Sequence, residues 1–530
     1  MNNLSNTSKY SILNFSVMMI IPMLLFSIPI ILKNYYGPYY LGYNSDPDYA
    51  YLLNSLNILN LIPPGHTDHP GTTVHVIGAI GLLIKWFCHL VTGGKLGLND
   101  FVLKNPEESL KAINYLINVL IFGGIVFSSL CVYRAMQNVF SVMIFQLTLL
   151  VPLQIKISLF RVDPEPLLVF SVVILSGLIF VFQKAHSEAH YKSSLPVFIG
   201  AMIGFGLATK ITFIPMLMFV FIFITKRERL MAATASLISF IFFTLPIITK
   251  FPKMFSWFWS LAIHEEEYGH GDIGIPSITE LLNNLIELIN NEPYLFIFLI
   301  CYVLYLLFLK YVAKQTDSNI NYRLLKLGVY IIVMQCAMAI KHPGVHAGVR
   351  YMVPAITLMA FLNVQMICSL KHLASSSFLI RYIYCVVIFI GVIYGFYSLK
   401  TWAFTSSEYY KSEIELLSRM NKMNGCSVIQ NYRASSIEYA FAFGNMHSGS
   451  SFSEQLEKMY PKVYFYNMWT GGFDTYNKKY NDSYVFNLLH ENRCQLIYGM
   501  PMEERDINAF LLTPISVTSQ IALYKIGLEP

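Results

Sequence analysis

Charge is what this sequence has little of. Only 13% of its 530 residues are Asp, Glu, Lys or Arg, where soluble globular chains carry about 25%. A chain this long with so few charges lacks the polar surface that a water-soluble fold needs. Instead 55% of it is hydrophobic, and the mean hydropathy is +0.51. The positive excess is also small, a formal +6. No Lys/Arg cluster marks a soluble module, so nucleic acid is not an expected partner. No Cys-x-x-Cys pair occurs among the eight cysteines, which argues against a zinc or dithiol redox centre. Cys88, Cys131, Cys301, Cys336, Cys368 and Cys385 lie in or beside apolar runs and read as small buried hydrophobes. No small-residue cleavage site is evident at the first apolar run, which therefore reads as an uncleaved span. Nor is there an internal repeat of about 20–50 residues.

What is there is a succession of apolar runs, at 12–32, 113–133, 138–156, 166–183, 195–225, 230–249, 294–313, 324–341, 352–370 and 378–398. Runs of about 20 residues read as membrane spans. The stretch 74–92 is apolar too but holds His75, Lys85 and His89, which favours a helix lying on the membrane surface. The run 195–225 is too long for one span. Lys210 interrupts it, and Gly200, Gly204, Gly206 and Pro215 weaken it. It predicts two short helices in a hairpin, allowed where neighbours satisfy the broken backbone.

Orientation comes from the short loops. Arg134, Lys184, Lys192, Lys226, Arg227, Arg229, Lys310, Lys314, Arg323, Lys326, Lys371 and Arg381 fall on one side if the spans alternate. The positive-inside rule makes that side cytoplasmic. The external face then receives loops 33–112, 157–165, 250–293 and 341–351, together with the tail 400–530. The tail is polar and rich in Tyr and Asn. Its pattern predicts strands at 427–430, 462–466, 494–498 and 521–526, and helices at 437–443, 453–460 and 485–491. Cys426 and Cys494 are the two tail cysteines, and an external compartment permits a disulfide between them. The expected fold is an α-helical polytopic membrane protein of about 10–12 transmembrane helices, with interfacial helices in the first external loop and a small C-terminal α/β domain. The division is 1–399 for the membrane domain and 400–530 for the external one.

The external loops hold the chemistry. The first contains Asn44-Ser45-Asp46-Pro47-Asp48 and then His66-Thr67-Asp68-His69-Pro70-Gly71. Two carboxylates on a Pro-containing turn outside the first span can take a proton from an acceptor hydroxyl; an Asx turn explains them more plainly. Next comes Arg161-Val162-Asp163-Pro164-Glu165-Pro166. Helix-start chemistry accounts for Pro164, Glu165 and Pro166, but not for Arg161 and Asp163 beside them. A third loop, His264-Glu265-Glu266-Glu267-Tyr268-Gly269-His270, offers His264, Glu267 and His270 to a divalent metal, although its spacing matches no standard metal motif. The fourth, Lys341-His342-Pro343-Gly344-Val345-His346-Ala347-Gly348-Val349-Arg350-Tyr351, packs cations at the external end of a span. Arg and Lys there suit a phosphate, and snorkelling to the interface is the ordinary alternative. Lys210, an ion within an apolar stretch, is a functional candidate by position.

The order of these pieces resembles the GT-C glycosyltransferases that use polyprenyl-phosphate sugars, of the protein O-mannosyltransferase and lipid A aminoarabinose transferase types. The matching features are Asp46 and Asp48 after the first span, His69-Pro70-Gly71 opening an interfacial helix, and Asp163. They continue with Gly206 to Lys210 in a broken helix pair, then Arg350-Tyr351-x-x-Pro354 at a late span, followed by an external α/β tail. The resemblance implies transfer of a sugar from a polyprenyl-phosphate donor to an acceptor hydroxyl of a glycan such as O-antigen, of lipid A or of protein. It implies Asp46 as base with Asp48 as alternate, Asp163 orienting acceptor or sugar, and Arg350, Lys210 and Lys341 holding the phosphate. His69, His346, Arg161, His264 and Tyr351 are further substrate contacts. No cofactor is assigned; a divalent metal is the one candidate, at His264, Glu267 and His270. The expected setting is a bacterial inner membrane with the site and tail facing the periplasm. Two other readings compete: a lipid-linked glycan transporter, which would show mid-membrane ions and repeated halves, and a polymerase or ligase using a diphosphate-linked donor.

Overall fold

The computed structural model describes residues 2–41, 48–68, 70–187, 194–265, 272–311, 320–341, 349–370, 377–423, 426–461, 463–467, 472–477, 479–480, 495–502, 512–517 and 521–526. By internal contacts the chain divides into two compact units. One comprises Met1–Ile31, Thr67–Val74 and Asn114–Thr401; the other comprises Leu32–His66, His75–Ile113 and Trp402–Pro530.

Apolar runs in lipid can satisfy their backbone only by closing it on itself, hence helices. Among the described residues they are α1 (Asn2–Tyr36), α2 (Asp48–Leu59), α3 (Thr72–Val91), α4 (Leu98–Lys104), α5 (Pro106–Met136), α6 (Val139–Leu149), α7 (Leu153–Ser158), α8 (Glu165–Ser187), α9 (Leu195–Thr209), a 3-10 stretch (Ile211–Ile222), α10 (Lys226–Thr244), α11 (Phe251–Ile263), α12 (Ile278–Asn291), α13 (Pro293–Tyr311), α14 (Ile320–Lys341), α15 (Val353–Leu370), α16 (Ser377–Asn421), α17 (Ile437–His447) and α18 (Ser453–Met459). Eight helical stretches among the described residues are long and apolar enough to cross a bilayer, Thr72–Val91 included, and four apolar helices are shorter. The protein is a polytopic integral membrane protein.

In the first unit α15 is the centre. Residues 351–367 are all buried, as an all-round apolar helix should be. It packs on α6, α8 and α14. The run 138–156, expected as one span, is instead α6 and α7 with a break at 150–152. Proline cannot donate to the ladder, and Pro152 caps α7. The carbonyls freed by the break are met by a buried lysine: Lys156 Nζ donates to Leu150 O at 2.6 Å, Val151 O at 3.2 Å and Pro152 O at 2.9 Å.

The run 195–225 breaks at Lys210, and α9 packs both on the 3-10 stretch and on α10. Glycines allow the α9–α10 approach. A Cβ on Gly200 would sit 2.1 Å from Ala232 O, and one on Gly204 would sit 2.1 Å from Ser236 O. This is the small-residue crossing of helices that lack a hydrophobic driving force in lipid.

The second unit carries a sheet of order β4-β3-β2-β1-β5-β7-β6, in which β1 (Ser427–Asn431) runs parallel to β2 (Tyr464–Asn467) and β5 (Gln495–Gly499). The remaining pairs are antiparallel: β2 with β3 (Gly472–Asp474), β3 with β4 (Lys479–Tyr480), and β7 (Ala522–Ile526) with β5 and with β6 (Leu512–Val517). Four of these strands coincide with predicted ones. β6 was not anticipated: it contains Pro514, tolerated because it is an edge strand with an irregularity there. The helix expected at 485–491 lies outside the described residues.

The first-loop helix α2 is held by the tail. Asn57 Nδ2 donates to Ser448 O at 2.8 Å, Asn54 Nδ2 donates to His447 O at 3.3 Å, and Gly444 of α17 sits against the Tyr49 backbone. Cys426 is disulfide-bonded, whereas Cys88, Cys131, Cys301, Cys336, Cys368 and Cys385 are free; Cys494 lies outside the described residues.

Gly204→Val should destabilise the protein by about 1–3 kcal/mol, the range for overpacking. Gly123→Ala, which faces open space on α5, should be neutral or slightly stabilising. Thermal unfolding of both variants in detergent checks this; equal shifts would contradict it.

Candidate functional site

Three segments at helix starts or breaks meet within the first unit. The first leads into α8. Asn114 Nδ2 donates to Leu159 O at 2.9 Å and to Arg161 O at 3.0 Å, and Asn118 Nδ2 donates to Leu159 O at 2.8 Å. These asparagines, one turn apart on α5, hold the turn that presents Asp163 and Glu165.

The second is the break after α9. Lys210 is extended, φ −158 and ψ 134. Its backbone bridges to Pro70, Gly71 N donates to Thr209 O at 3.2 Å, and Thr73 Oγ1 donates to Thr209 Oγ1 at 2.8 Å. Gly71 has φ +66, a conformation that favours glycine. The Pro70-Gly71 turn and the Gly206–Lys210 break, separate motifs in the sequence, are thus one piece of backbone pairing.

The third segment is Arg350-Tyr351, just ahead of α15. Its register is fixed from α14: Gln335 Nε2 donates to Tyr351 O at 2.6 Å and to Thr212 O at 2.9 Å.

At the meeting point stands Glu165. Lys210 Nζ donates to Glu165 Oε1 at 2.6 Å. Arg350 Nε donates to Oε1 at 3.2 Å and Arg350 Nη2 to Oε2 at 2.9 Å, a two-point guanidinium–carboxylate contact. Asp163 Oδ2 lies 3.6 Å from Arg350 Nη2, and the Lys210 ammonium lies 5.2 Å from the Tyr351 ring centroid. Two carboxylates face two cations, so the cluster is formally neutral, as a buried charge set must nearly be. Exposure separates its members. The Glu165 side chain is 0% exposed and that of Lys210 3%, while that of Arg350 is 17%. Arg350 is therefore the cation that an incoming anion can meet.

The other end of α8 is basic. Lys184 Nζ donates to Arg134 O at 3.1 Å, and Phe182 meets Phe223 with ring centroids 5.2 Å apart. Arg229 Nε donates to Phe223 O at 2.8 Å, and Arg323 donates to Ile222 O. α8 has 23 residues, so at 1.5 Å per residue roughly 30 Å of helix separates Glu165 from this basic end.

The remaining candidates are placed as follows. Asp163, Lys210, Arg350 and Tyr351 come together. Arg161 is half-buried, its carbonyl held by Asn114. Lys341 donates to Leu261 O at 2.7 Å and to Ala262 O, capping the carbonyl end of α11. His264 closes α11 and bridges to Ile273. Asp48 is buried in the first turn of α2, in the second unit. Asp46, His69, His346, Glu267 and His270 lie outside the described residues, and among the described residues no group of His, Cys, Asp and Glu is placed to hold a metal. Sequence reasoning passed over Glu165, which helix-start chemistry explained too readily. It also missed Gln335, Asn114 and Asn118, whose signal was a lone amide, or an amide pair four residues apart, inside apolar runs.

Fold and cluster together define a polytopic helical membrane protein with a buried ion cluster and a C-terminal α/β unit. Among solved structures the chain superposes on the crystal structure of ArnT from Cupriavidus metallidurans bound to undecaprenyl phosphate, with TM-score 0.54 and 10% identity over 98% of each chain. The apo state of the same enzyme gives TM-score 0.55 and 11% identity over 98% of each chain. At that identity the likeness is one of fold. An oligosaccharyltransferase from Archaeoglobus fulgidus aligns more loosely, TM-score 0.46 and 12% identity, over 85% of this chain and 69% of that one. No protein-family model matches the chain, and no curated protein matches it in sequence.

Glu165→Gln should lower stability by on the order of 3–5 kcal/mol, because it leaves the buried Lys210 ammonium without its carboxylate and Arg350 with Asp163 alone. Glu165→Gln with Lys210→Met should lose clearly less than the sum of the single losses. Denaturation of the three variants in detergent measures this; strict additivity would contradict the pairing.

Proposed function

We propose that this protein is a membrane glycosyltransferase that moves a sugar from a polyprenyl-phosphate donor to an acceptor hydroxyl. The observation that carries the reading is the buried Asp163–Glu165–Lys210–Arg350 cluster with Arg350 as its partly open member. The fold it shares with ArnT, whose crystal structure holds undecaprenyl phosphate, supports a donor of that class. Glu165 and Lys210 hold Arg350 in place, and Arg350 meets the donor phosphate. Positive charge fixed in advance where negative charge develops is often the largest catalytic term. Lys210, buried on Glu165, acts through Arg350 rather than on the phosphate itself.

In the proposed reaction Asp46, with Asp48 as the alternate, takes the acceptor O–H proton. The acceptor oxygen bonds to the anomeric carbon, the bond from that carbon to the phosphate oxygen breaks, and the polyprenyl phosphate leaves with the electron pair. Asp163 orients the sugar or acceptor. A glycan, lipid A or a protein hydroxyl is the acceptor class. The basic end of α8, read as cytoplasmic by the positive-inside rule, supports an external, periplasmic site in a bacterial inner membrane.

Asp46→Asn should fold and insert normally yet lose at least about a hundredfold in turnover, the lower range for a general base. Arg350→Ala should weaken donor binding instead. Mass spectrometry of surface glycans and lipid A with each variant, beside a donor assay comparing monophosphate with diphosphate lipids, tests the reading. Near-normal turnover by Asp46→Asn would remove its role as base, and a preference for diphosphate donors would overturn the donor class.

A further inference from the structure

Gln335 sits in the C-terminal half of α14, fully buried, in the apolar stretch Val333-Met334-Gln335-Cys336-Ala337. A lone amide there is expensive unless it is hydrogen-bonded. Its two bonds go to backbone outside its own helix. One reaches Thr212 O, two residues beyond Lys210, and the other reaches Tyr351 O, next to Arg350. Both acceptors lie where regular helix is interrupted: Thr212 at the start of the 3-10 stretch, Tyr351 just before α15. One side-chain amide thus bonds both segments at once.

We propose that Gln335 is a positioning residue of the site, tying the Lys210 segment to the Arg350 segment so that both cations reach the same Glu165 carboxylate. The claim deepens the proposed function, since it rests on Arg350 being the phosphate-binding group. Gln335 touches no substrate in this account; it acts through Arg350. With the amide removed, the two segments lose the side chain that bonds both of them. Arg350 then samples orientations away from Glu165.

Two isosteric apolar variants, Gln335→Met and Gln335→Leu, test this in the full-length protein in detergent. The first readout is labelling of Arg350 by phenylglyoxal, followed by peptide mass spectrometry, which needs no donor. Labelling should rise several-fold over wild type in both variants. The second readout is affinity for undecaprenyl phosphate. Losing two hydrogen bonds of ordinary net strength should weaken it about tenfold, and the loss should disappear when Arg350→Ala is already present, because coupled sites are not additive. A purely structural role would lower thermal stability without that coupling. Unchanged Arg350 labelling would overturn the proposal, and so would additivity with Arg350→Ala. If wild type fails to bind undecaprenyl phosphate, the donor reading fails, while the labelling result still decides whether Gln335 positions Arg350.

Discussion

The structure turns on one carboxylate that cannot be hydrated. Glu165 is fully buried, and its charge is tolerable only because Lys210 and Arg350 reach it at 2.6 and 2.9 Å. That requirement dictates much of the first unit. Lys210 can reach Glu165 only if α9 stops, so the helix breaks. A broken helix in lipid must have its backbone satisfied elsewhere, and the Pro70–Gly71 turn does that. Arg350 can reach Glu165 only if the segment before α15 is held, and Gln335 holds it. Each of these elements supports one charge or one backbone group of the cluster.

The same physics accounts for the other irregularities. Where α6 ends early, the freed carbonyls are met by Lys156. Where α9 and α10 must approach closely, glycine and small residues line the contact. A membrane interior gives helices no hydrophobic reason to associate, so polar ties and close packing decide the arrangement. A stronger set of polar ties therefore marks a place where the arrangement matters. The Glu165 cluster is such a set.

Much of this was legible in the sequence. The membrane class followed from charge scarcity, and the break at Lys210 followed from an ion and three glycines in an apolar run. Asp163, Lys210 and Arg350 were singled out by residue type and position, and they do converge. Glu165 was legible but misread: an acid after proline at a helix start needs no further explanation, so its pairing was invisible without distances. Gln335 and Asn114 act through side chains that reach backbone far away in sequence, which no local pattern encodes. In the tail, regular alternation gave β1, β2, β5 and β7, whereas β3, β4 and β6 are short or proline-bearing and carry no such signal. Helix α16 runs unbroken from Ser377 to Asn421, past the composition change near residue 400. Composition reports solvent and not where a helix ends.

In the proposed reaction Arg350, held by Glu165, receives a lipid phosphate. An experimental structure of the full-length protein with undecaprenyl phosphate in a lipid nanodisc tests it most directly. We expect phosphate oxygens about 2.7–2.9 Å from the Arg350 guanidinium, the distance of a charge-assisted hydrogen bond, with Glu165 still on Lys210. A phosphate seated at the basic Arg134–Lys184 end of α8, with Arg350 uncontacted, would contradict it.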